Sequence, residues 1–163
     1  MLARDEVAAA LDYSPTTGIF TWKQRVALRV RIGDVAGSVG DKGYRVISFR
    51  NRDYKAHHLA WLLMTGEWPA EWIDHANGDR GDNRWCNLRL ASPSGNARNA
   101  GVRRDNTSGF KGVSLKKATG RWSAALQVDG KRKALGYFDT PEEAAQAYAR
   151  AAQHYYGEFA RVA

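Results

Sequence analysis

Apolar positions in the first fifty residues come in short runs broken by turn formers, a pattern that predicts short strands. Asp5 to Leu11 is expected as a brief helix. Ser14-Pro15-Thr16-Thr17-Gly18 reads as a turn, and the apolar run Ile19-Phe20-Thr21-Trp22 follows it. Gly43 to Phe49 alternates as a strand does, and Asn51-Arg52-Asp53 turns the chain toward Tyr54. His58 to Thr65 is apolar enough for a buried helix, which Gly66 and Pro69 stop. Ile73 and Leu88 are expected in two strands, with a polar loop rich in Gly, Asp and Asn between them. Ser92 and Pro93 then read as the N-cap and first position of a helix. This strand, loop, strand, helix unit sets His75 at the end of its first strand and Asn96 on the first helical turn.

The pattern after residue 108 is sharper. Phe110 to Lys116, Arg121 to Val128 and Lys131 to Phe138 read as three strands, the last two joined by the hairpin signal Asp129-Gly130. Thr140 is an N-cap, Pro141 the first helical position, and Glu143 closes a capping box. Ala144, Tyr148, Ala151, Ala152 and Tyr155 recur at helical spacing up to Gly157. Trp122, Ala124, Leu126 and Val128 share one face of the middle strand and are expected under that helix. Arg121, Ser123, Ala125 and Gln127 share the other face, flat and polar with basic side chains near its edges. Residues 99–109 are polar, small and turn-rich, and read as a linker between two modules.

Composition narrows the class. The 163 residues are 44% hydrophobic and 26% charged, which excludes a wholly disordered chain, collagen and a coiled coil. No run of 18 apolar residues is present, so no transmembrane helix is expected. Asp5 and Glu6 stand where a secretory signal would be basic. One cysteine, Cys86, excludes an internal disulfide and a thiolate zinc site, and reads as a small buried hydrophobe. Net charge is +8 and the sequence pI is about 9.8, a balance that favours nucleic acid over membrane as partner. Residues 103–133 alone hold 9 Lys+Arg and 2 Asp+Glu, a net of +7, so the field is concentrated near the polar sheet face.

The segment from Ile73 to Asn99 carries the chemistry. Phosphodiester hydrolysis needs a water nucleophile, a base for its proton, and a cation on the scissile phosphate and leaving oxygen. His75 titrates near neutrality and can be the base. Asp74 and the amide carbonyl of Asn96 are hard oxygen ligands suited to Mg²⁺ or Mn²⁺, and Asn87 can hold the imidazole tautomer. The alternative reading is a hairpin whose Asp and Asn residues only make turns.

A resemblance weighs against that alternative. Asp74-His75, Gly78-Asp79, Asp82-Asn83-Arg84 and Asn87-Leu88-Arg89, with Asn96 and Asn99 behind them, resemble the HNH (ββα-metal) endonucleases of the phage and intron-encoded type. Tyr54 to Trp61 and Gly66-Glu67-Trp68-Pro69 are similar to that family too, so the resemblance covers roughly residues 10–100. It implies His75 as general base, Asn87 as its orienter, Asp74 and Asn96 as metal ligands, and no structural zinc. His57 is left between a phosphate contact and a structural histidine at a strand-to-helix junction, the latter preferred. Trp61, Trp68 and Trp72 are expected to pack in the core.

The last module resembles the plant APETALA2/ethylene-response-factor DNA-binding domain. The resemblance rests on Lys111-Gly112-Val113, Gly120 to Ala124, Leu135 to Thr140, and Glu142-Glu143-Ala144-Ala145 with Ala147-Tyr148. It implies a sheet that enters the major groove, with Lys111, Lys116, Arg121 and Arg132 as DNA contacts. Ser114, Ala125 and Gln127 stand where the plant proteins carry charged readers, so no sequence preference transfers.

The two resemblances together imply an α+β chain: small strands and a ββα-metal module, then a three-stranded antiparallel sheet on one C-terminal helix. The implied domains are 1–100 (metal core about 70–100), a linker at 101–108, and 109–163. The expected activity is metal-dependent hydrolysis of duplex DNA by a homing or mobile-element endonuclease, cytoplasmic in a bacterial host. It would act as monomer or homodimer, with no membrane partner. Two alternatives stay open: a non-catalytic DNA-binding regulator with a degenerate HNH scaffold, and an RNA-directed protein.

Overall fold

The computed structural model describes residues 2–102 and 105–161; Arg103 and Arg104, counted above in the linker and the basic segment, lie outside the described residues. The chain divides into two compact units, Met1–Ser92 and Pro93–Ala163. It is a mixed helix and strand protein, as the sequence pattern predicts.

In the first unit, α1 (Arg4–Ala10) leads into β1 (Leu11–Tyr13), which pairs antiparallel with β2 (Phe20–Trp22). A meander follows: β3 (Ser38–Val39), β4 (Arg45–Phe49) and β5 (Arg52–Lys55). The β4–β5 turn is Arg50-Asn51, at φ 52° and 58°, rather than Asn51-Arg52-Asp53. Two left-handed residues match the twist of the flanking strands. Arg52 and Asp53 therefore enter the ladder opposite Phe49 and Ser48.

Next comes α2 (Ala56–Thr65), closed by Gly66 in the left-handed conformation at φ 88°, its N–H bonded to Leu62 O. Ala56, Leu59, Ala60 and Leu62 turn inward and join Val7, Leu11, Phe20 and Ile47 in one apolar core. Each fully buried aliphatic or aromatic side chain there contributes about 1.5–3 kcal/mol. Trp61 lies 5.0 Å from the Trp85 ring, and Trp68 Nε1 donates to Leu2 O at 2.9 Å, so both pack as expected. Trp72 does not: it is 60% exposed at the outer end of β6, whereas Ile73, Asp74 and His75 after it are all buried. Cys86 is also exposed, outside the core.

The last hairpin of this unit joins β6 (Trp72–His75) to β7 (Leu88–Ala91) through a long loop and a 3₁₀ turn at Trp85–Asn87. Its register pairs Ile73 with Leu90, Asp74 with Arg89 and His75 with Leu88.

The second unit opens with α3 (Pro93–Asn99). Then β8 (Val113–Lys116), β9 (Arg121–Val128) and β10 (Lys131–Phe138) form an antiparallel sheet in the order β10-β9-β8. The first strand begins at Val113 instead of Phe110. Gly112 is left-handed at φ 72°, which breaks the extended run. Asp129 and Gly130, at φ 50° and 76°, make the expected two-residue turn. The sheet packs on α4 (Pro141–Tyr156), whose capping box has Glu143 N donating to Thr140 Oγ1 at 3.2 Å. Leu126 packs on Tyr148 and Ala152, and Ala124 with Val113 on Ala144. The alanines let helix and sheet approach, and Tyr156 hydroxyl then donates to Gln127 O at 2.7 Å.

Close approach at Gly112 yields a prediction. A Cβ there would stand 2.3 Å from the Tyr148 ring and 2.7 Å from Ala125 O. Overlap and left-handed strain together should cost Gly112→Ala about 2–4 kcal/mol. Thermal unfolding followed by circular dichroism checks this; a midpoint equal to wild type would show that the turn relaxes.

Candidate active site

Why the 76–87 segment loops is local chemistry. Asn77 Oδ1 accepts from Asp79 N at 2.8 Å, Asp79 Oδ1 from Gly81 N at 2.8 Å, and Asp82 Oδ1 from Arg84 N at 3.2 Å. These are successive Asx turns. The Arg84 side chain also clasps Asp82, 2.5 Å at its closest, and Asn77 Nδ2 adds a bond at 2.7 Å. The Arg84 hydrogen bonds hold the Asp82 carboxyl down at about 2. Turn-making thus accounts for most of the loop's acids and amides, as the alternative sequence reading had it.

His75 is different. It closes β6, 3% exposed, and its Nε2 stands 3.4 Å from Asn83 Oδ1. Asn83 is itself 1% exposed, and its Nδ2 donates to Gly81 O at 3.0 Å. That bond fixes the amide with its oxygen toward the ring. The imidazole N–H therefore belongs on Nε2, and the basic lone pair on Nδ1. Sequence reasoning gave this orienting part to Asn87. In the structure Asn87 binds main chain instead: its Oδ1 accepts from Asn77 N at 2.9 Å and its Nδ2 donates to Asp82 O at 2.8 Å. Asn87 holds the loop, and the loop holds Asn83 against the ring. An Asp82-Asn83-Arg84 signal was present in the sequence, but nothing in spacing says which amide faces the imidazole.

The loop is also pinned from outside. Tyr13 hydroxyl donates to Asn83 O at 2.7 Å, and Trp85 N donates to Pro15 O at 2.9 Å. Gly18 lies so close that a Cβ would fall 2.5 Å from Asn83 C and Arg84 N. The β1–β2 turn thereby presses the loop into its shape.

Asp74 is buried next to His75, and its Oδ2 accepts from Arg89 Nε at 3.0 Å and from the terminal Arg89 nitrogen at 2.8 Å. Arg89 is its cross-strand partner, so the ion pair follows from register. A carboxylate oxygen with amide carbonyls is a hard donor set, fitted to a divalent cation that keeps several waters. Among the described residues no three His, Cys, Asp or Glu side chains gather into a common cage. Asn96, half-buried on α3, stands in the second unit.

Sequence reasoning missed the surroundings of the imidazole. His57, on the first turn of α2, meets His75 edge-on with ring centres 4.9 Å apart, and His58 at 4.5 Å. It is 2% exposed, and its Nδ1 is buried without a hydrogen-bond partner. Tyr44 lies 5.9 Å from His75 and 5.2 Å from His57. Two cations stand over the Tyr44 ring, Lys55 Nζ at 4.7 Å and the Arg80 guanidinium at 4.9 Å. Burial lowers the pKa of all three histidines: His75 despite Asn83 and nearby carboxylates, and His57, with His58, His75 and Lys55 beside it, to about 2. The Tyr44 ring thus touches the His57 and His75 rings and two cations, of which Lys55 also acts on His57 and His58.

In the second unit, a shallow groove of about 230 Å³ crosses the open sheet face, floored by Ser123, Ala125 and Ala134 and flanked by Lys116 and Arg132. Ser123 and Ser114 hydroxyls bond to each other at 3.0 Å, which flattens the floor. Lys116 and Arg132 are exposed there. Arg121 pairs with Asp139 at 3.0 Å. Lys111 is drawn elsewhere: its Nζ donates to the carbonyls of Arg98 and Ala100 at the end of α3. A cation there satisfies terminal carbonyls and suits the helix dipole.

Comparison with known proteins covers both units. Residues 54–98 match the family model described as HNH endonuclease, and residues 108–158 match the AP2 domain. Protein 3.8 of Escherichia phage T7 is 35% identical over 112 residues, 66% of this chain and 92% of that protein. An HNH endonuclease of Acanthamoeba polyphaga mimivirus is 31% identical over 124 residues, 75% of this chain and 63% of that one. An AP2-like ethylene-responsive transcription factor of Arabidopsis thaliana is 43% identical over 54 residues, 33% of this chain and 11% of its own length. No solved structure matches.

A prediction about pH follows from His57. Burial holds its pKa down at about 2 in the folded unit, so the imidazole is neutral well above that pH, whereas the unfolded chain takes up its proton near the ordinary 6.5. Its contribution to stability is complete above about pH 6.5 and shrinks as pH falls, by up to about 1.4 kcal/mol per pH unit. Unfolding free energies measured between pH 7.5 and 5 should fall about one proton less steeply in His57→Gln than in wild type. Equal slopes would show that His57 is not a buried neutral group.

Proposed function

The chain belongs to the HNH endonuclease family and carries an AP2 domain, and on that footing we propose that it is a divalent-metal-dependent endonuclease acting on duplex DNA, of the homing or mobile-element kind. The observation that carries the reading is the buried His75, neutral and oriented by Asn83, beside Asp74 at the end of β6.

In this reading His75 is the general base and takes the proton of the attacking water on Nδ1. Asn83 holds the opposite ring nitrogen, and Asn87 keeps Asn83 in reach by bracing the loop. Asp74 is a metal ligand whose carboxylate Arg89 orients. Asn96 takes the second ligand role on the motif match alone. A bound divalent cation would supply positive charge for the scissile phosphate and leaving oxygen. Lys55 and Arg80, over Tyr44, attract the flanking phosphates. The depressed histidine pKa supports the base role, since the ring stays unprotonated at pH values where a free histidine would not.

Targeting falls to the second unit. Lys116 and Arg132 contact phosphates on either side of the sheet groove, whose small floor lets duplex approach. Arg121 joins them: an exposed pair such as Arg121–Asp139 is worth little, so phosphate can displace it. Lys111 acts at one remove, by holding the carbonyl end of α3. One base and one carboxylate ligand per chain support a nick as the product of a single protomer, with paired cuts left to a homodimer. Phage kinship supports action in the cytoplasm of a bacterial host. Among the described residues no helix is long and apolar enough to cross a membrane.

Supercoiled plasmid incubated with and without Mg²⁺ tests the activity. Wild type should convert it to open circles only with the cation. His75→Ala should lose about 10²–10⁴-fold in rate and still retard duplex on a gel. Unchanged cleavage by this variant would remove His75 as the base, and linear product without a nicked intermediate would remove the single-protomer nick.

A salt titration tests targeting. Lys116→Ala and Arg132→Ala should each lower the slope of log affinity against log salt by about one unit. Slopes equal to wild type would take the groove out of the DNA interface.

A further inference from the structure

Between β2 and β3 runs a segment that none of the roles above uses. Residues 23–35 form a loop whose stem is a short ladder: Trp22 N donates to Asp34 O at 3.0 Å, and Gly33 N to Trp22 O at 2.8 Å. Inside it, Arg31 N donates to Asp34 Oδ2 at 2.8 Å and the Arg25 guanidinium to Leu28 O at 2.7 Å. Val30 tucks against the core of the first unit. The loop is therefore built and anchored, yet its tip is apolar and outward: Leu28 is 85% exposed and Ile32 71%. Val26 and Val35, at 38% and 55%, extend the patch along both arms. So many exposed branched side chains in one short loop are not the scattered apolar residues of an ordinary surface.

Charge identifies the occupant. The loop holds Lys23, Arg25, Arg29 and Arg31 against one acid, Asp34. Asp34 is engaged with the Arg31 main chain, Lys23 with Ala8 O, and Arg25 with Leu28 O. That leaves the exposed Arg29 and Arg31 side chains flanking Leu28 and Ile32. A branched apolar tip between arginines suits a DNA groove, where arginines take phosphates and the apolar side chain wedges against the bases. A second copy docked by two-fold symmetry would set Arg29 and Arg31 against their own like charges, which disfavours it as the occupant. Two basic side chains and two large apolar ones also fall short of the charge and area that hold a chain on a membrane.

We propose that the 23–35 loop is a second DNA contact of this protein, with Arg29 and Arg31 on backbone phosphates and Leu28 wedged in the groove. It rests on the duplex-DNA reading above and adds a gripping surface on the first unit, independent of the sheet. Such a contact holds the strand on the nuclease unit itself while the sheet supplies targeting.

The test uses the full chain in EDTA, where duplex is bound without a divalent cation. Gel retardation across a salt series compares wild type, the double variant Arg29→Ala/Arg31→Ala, and Leu28→Ser. The double variant should lower the salt slope by about two units. Leu28→Ser should weaken binding about fivefold or more with the slope unchanged, as a lost apolar contact worth about 1 kcal/mol requires. An unchanged slope in the double variant overturns the proposal, and so does an affinity unmoved by Leu28→Ser. Co-sedimentation of wild type with phosphatidylserine vesicles, lost in the double variant, would assign the loop to a membrane and overturn it as well. If wild type retards no duplex even at low salt, the DNA reading falls and takes the loop with it. If wild type binds and both variants match it, the loop's role alone falls.

Discussion

Asp74 faces Arg89 and His75 faces Leu88 across the β6–β7 hairpin, and a slip of one residue would turn every side chain to the opposite face of the hairpin. The chemistry of the first unit depends on that register. It sets the carboxylate against its guanidinium and turns the imidazole inward to meet Asn83 and His57. Ile73 and Leu88, buried at 7% each, hold it, because slipping would take both out of the apolar core, where each contributes about 1.5–3 kcal/mol. The loop between the strands has little apolar substance of its own. Its shape comes from Asx turns, the Asn87 brace and the pressure of the β1–β2 turn at Gly18. A small unit thereby fixes a polar site with its main chain rather than with a large core.

Two electrostatic demands meet at the imidazole. In the role proposed for it, His75 has to stay unprotonated, while the phosphate it would meet calls for positive charge nearby. Burial satisfies the first, since desolvation is the largest cause of the lowered pKa of His57, His58 and His75 alike. The second is met by cations kept off the rings themselves: Lys55 and Arg80 stack over Tyr44, and Arg89 is spent on Asp74. Lys55 adds to the lowering at His57 and His58, whereas around His75 the carboxylates of Asp74, Asp79 and Asp82 oppose it and burial prevails. The cost is the buried Nδ1 of His57, left without a partner.

The second unit solves a different problem. Alanines on α4 bring the helix down onto β9, so one face of the sheet is consumed by packing and the other stays flat. Serine and alanine there make a floor, and the charges are kept to its rim. Glycine at position 112 is what allows the approach, with Tyr148 against its Cα and Ala125 N bonded to its carbonyl.

Much of this was legible along the chain because it rests on neighbours in sequence. The Thr140 capping box, the Asp129-Gly130 turn, the strands Arg121–Val128 and Lys131–Phe138, and His75 at the end of a strand all follow from spacing within a few residues. So does the charge of the basic segment. What tertiary structure alone decided joins residues far apart. Asn83 rather than Asn87 meets the imidazole, Tyr44 carries Lys55 and Arg80, and Lys111 turns to the end of α3. Trp72 and Cys86 face solvent although their types favour burial. Periodicity names the residues that an element turns inward. Which distant side chain waits there is settled by packing, and packing is a property of the folded chain alone.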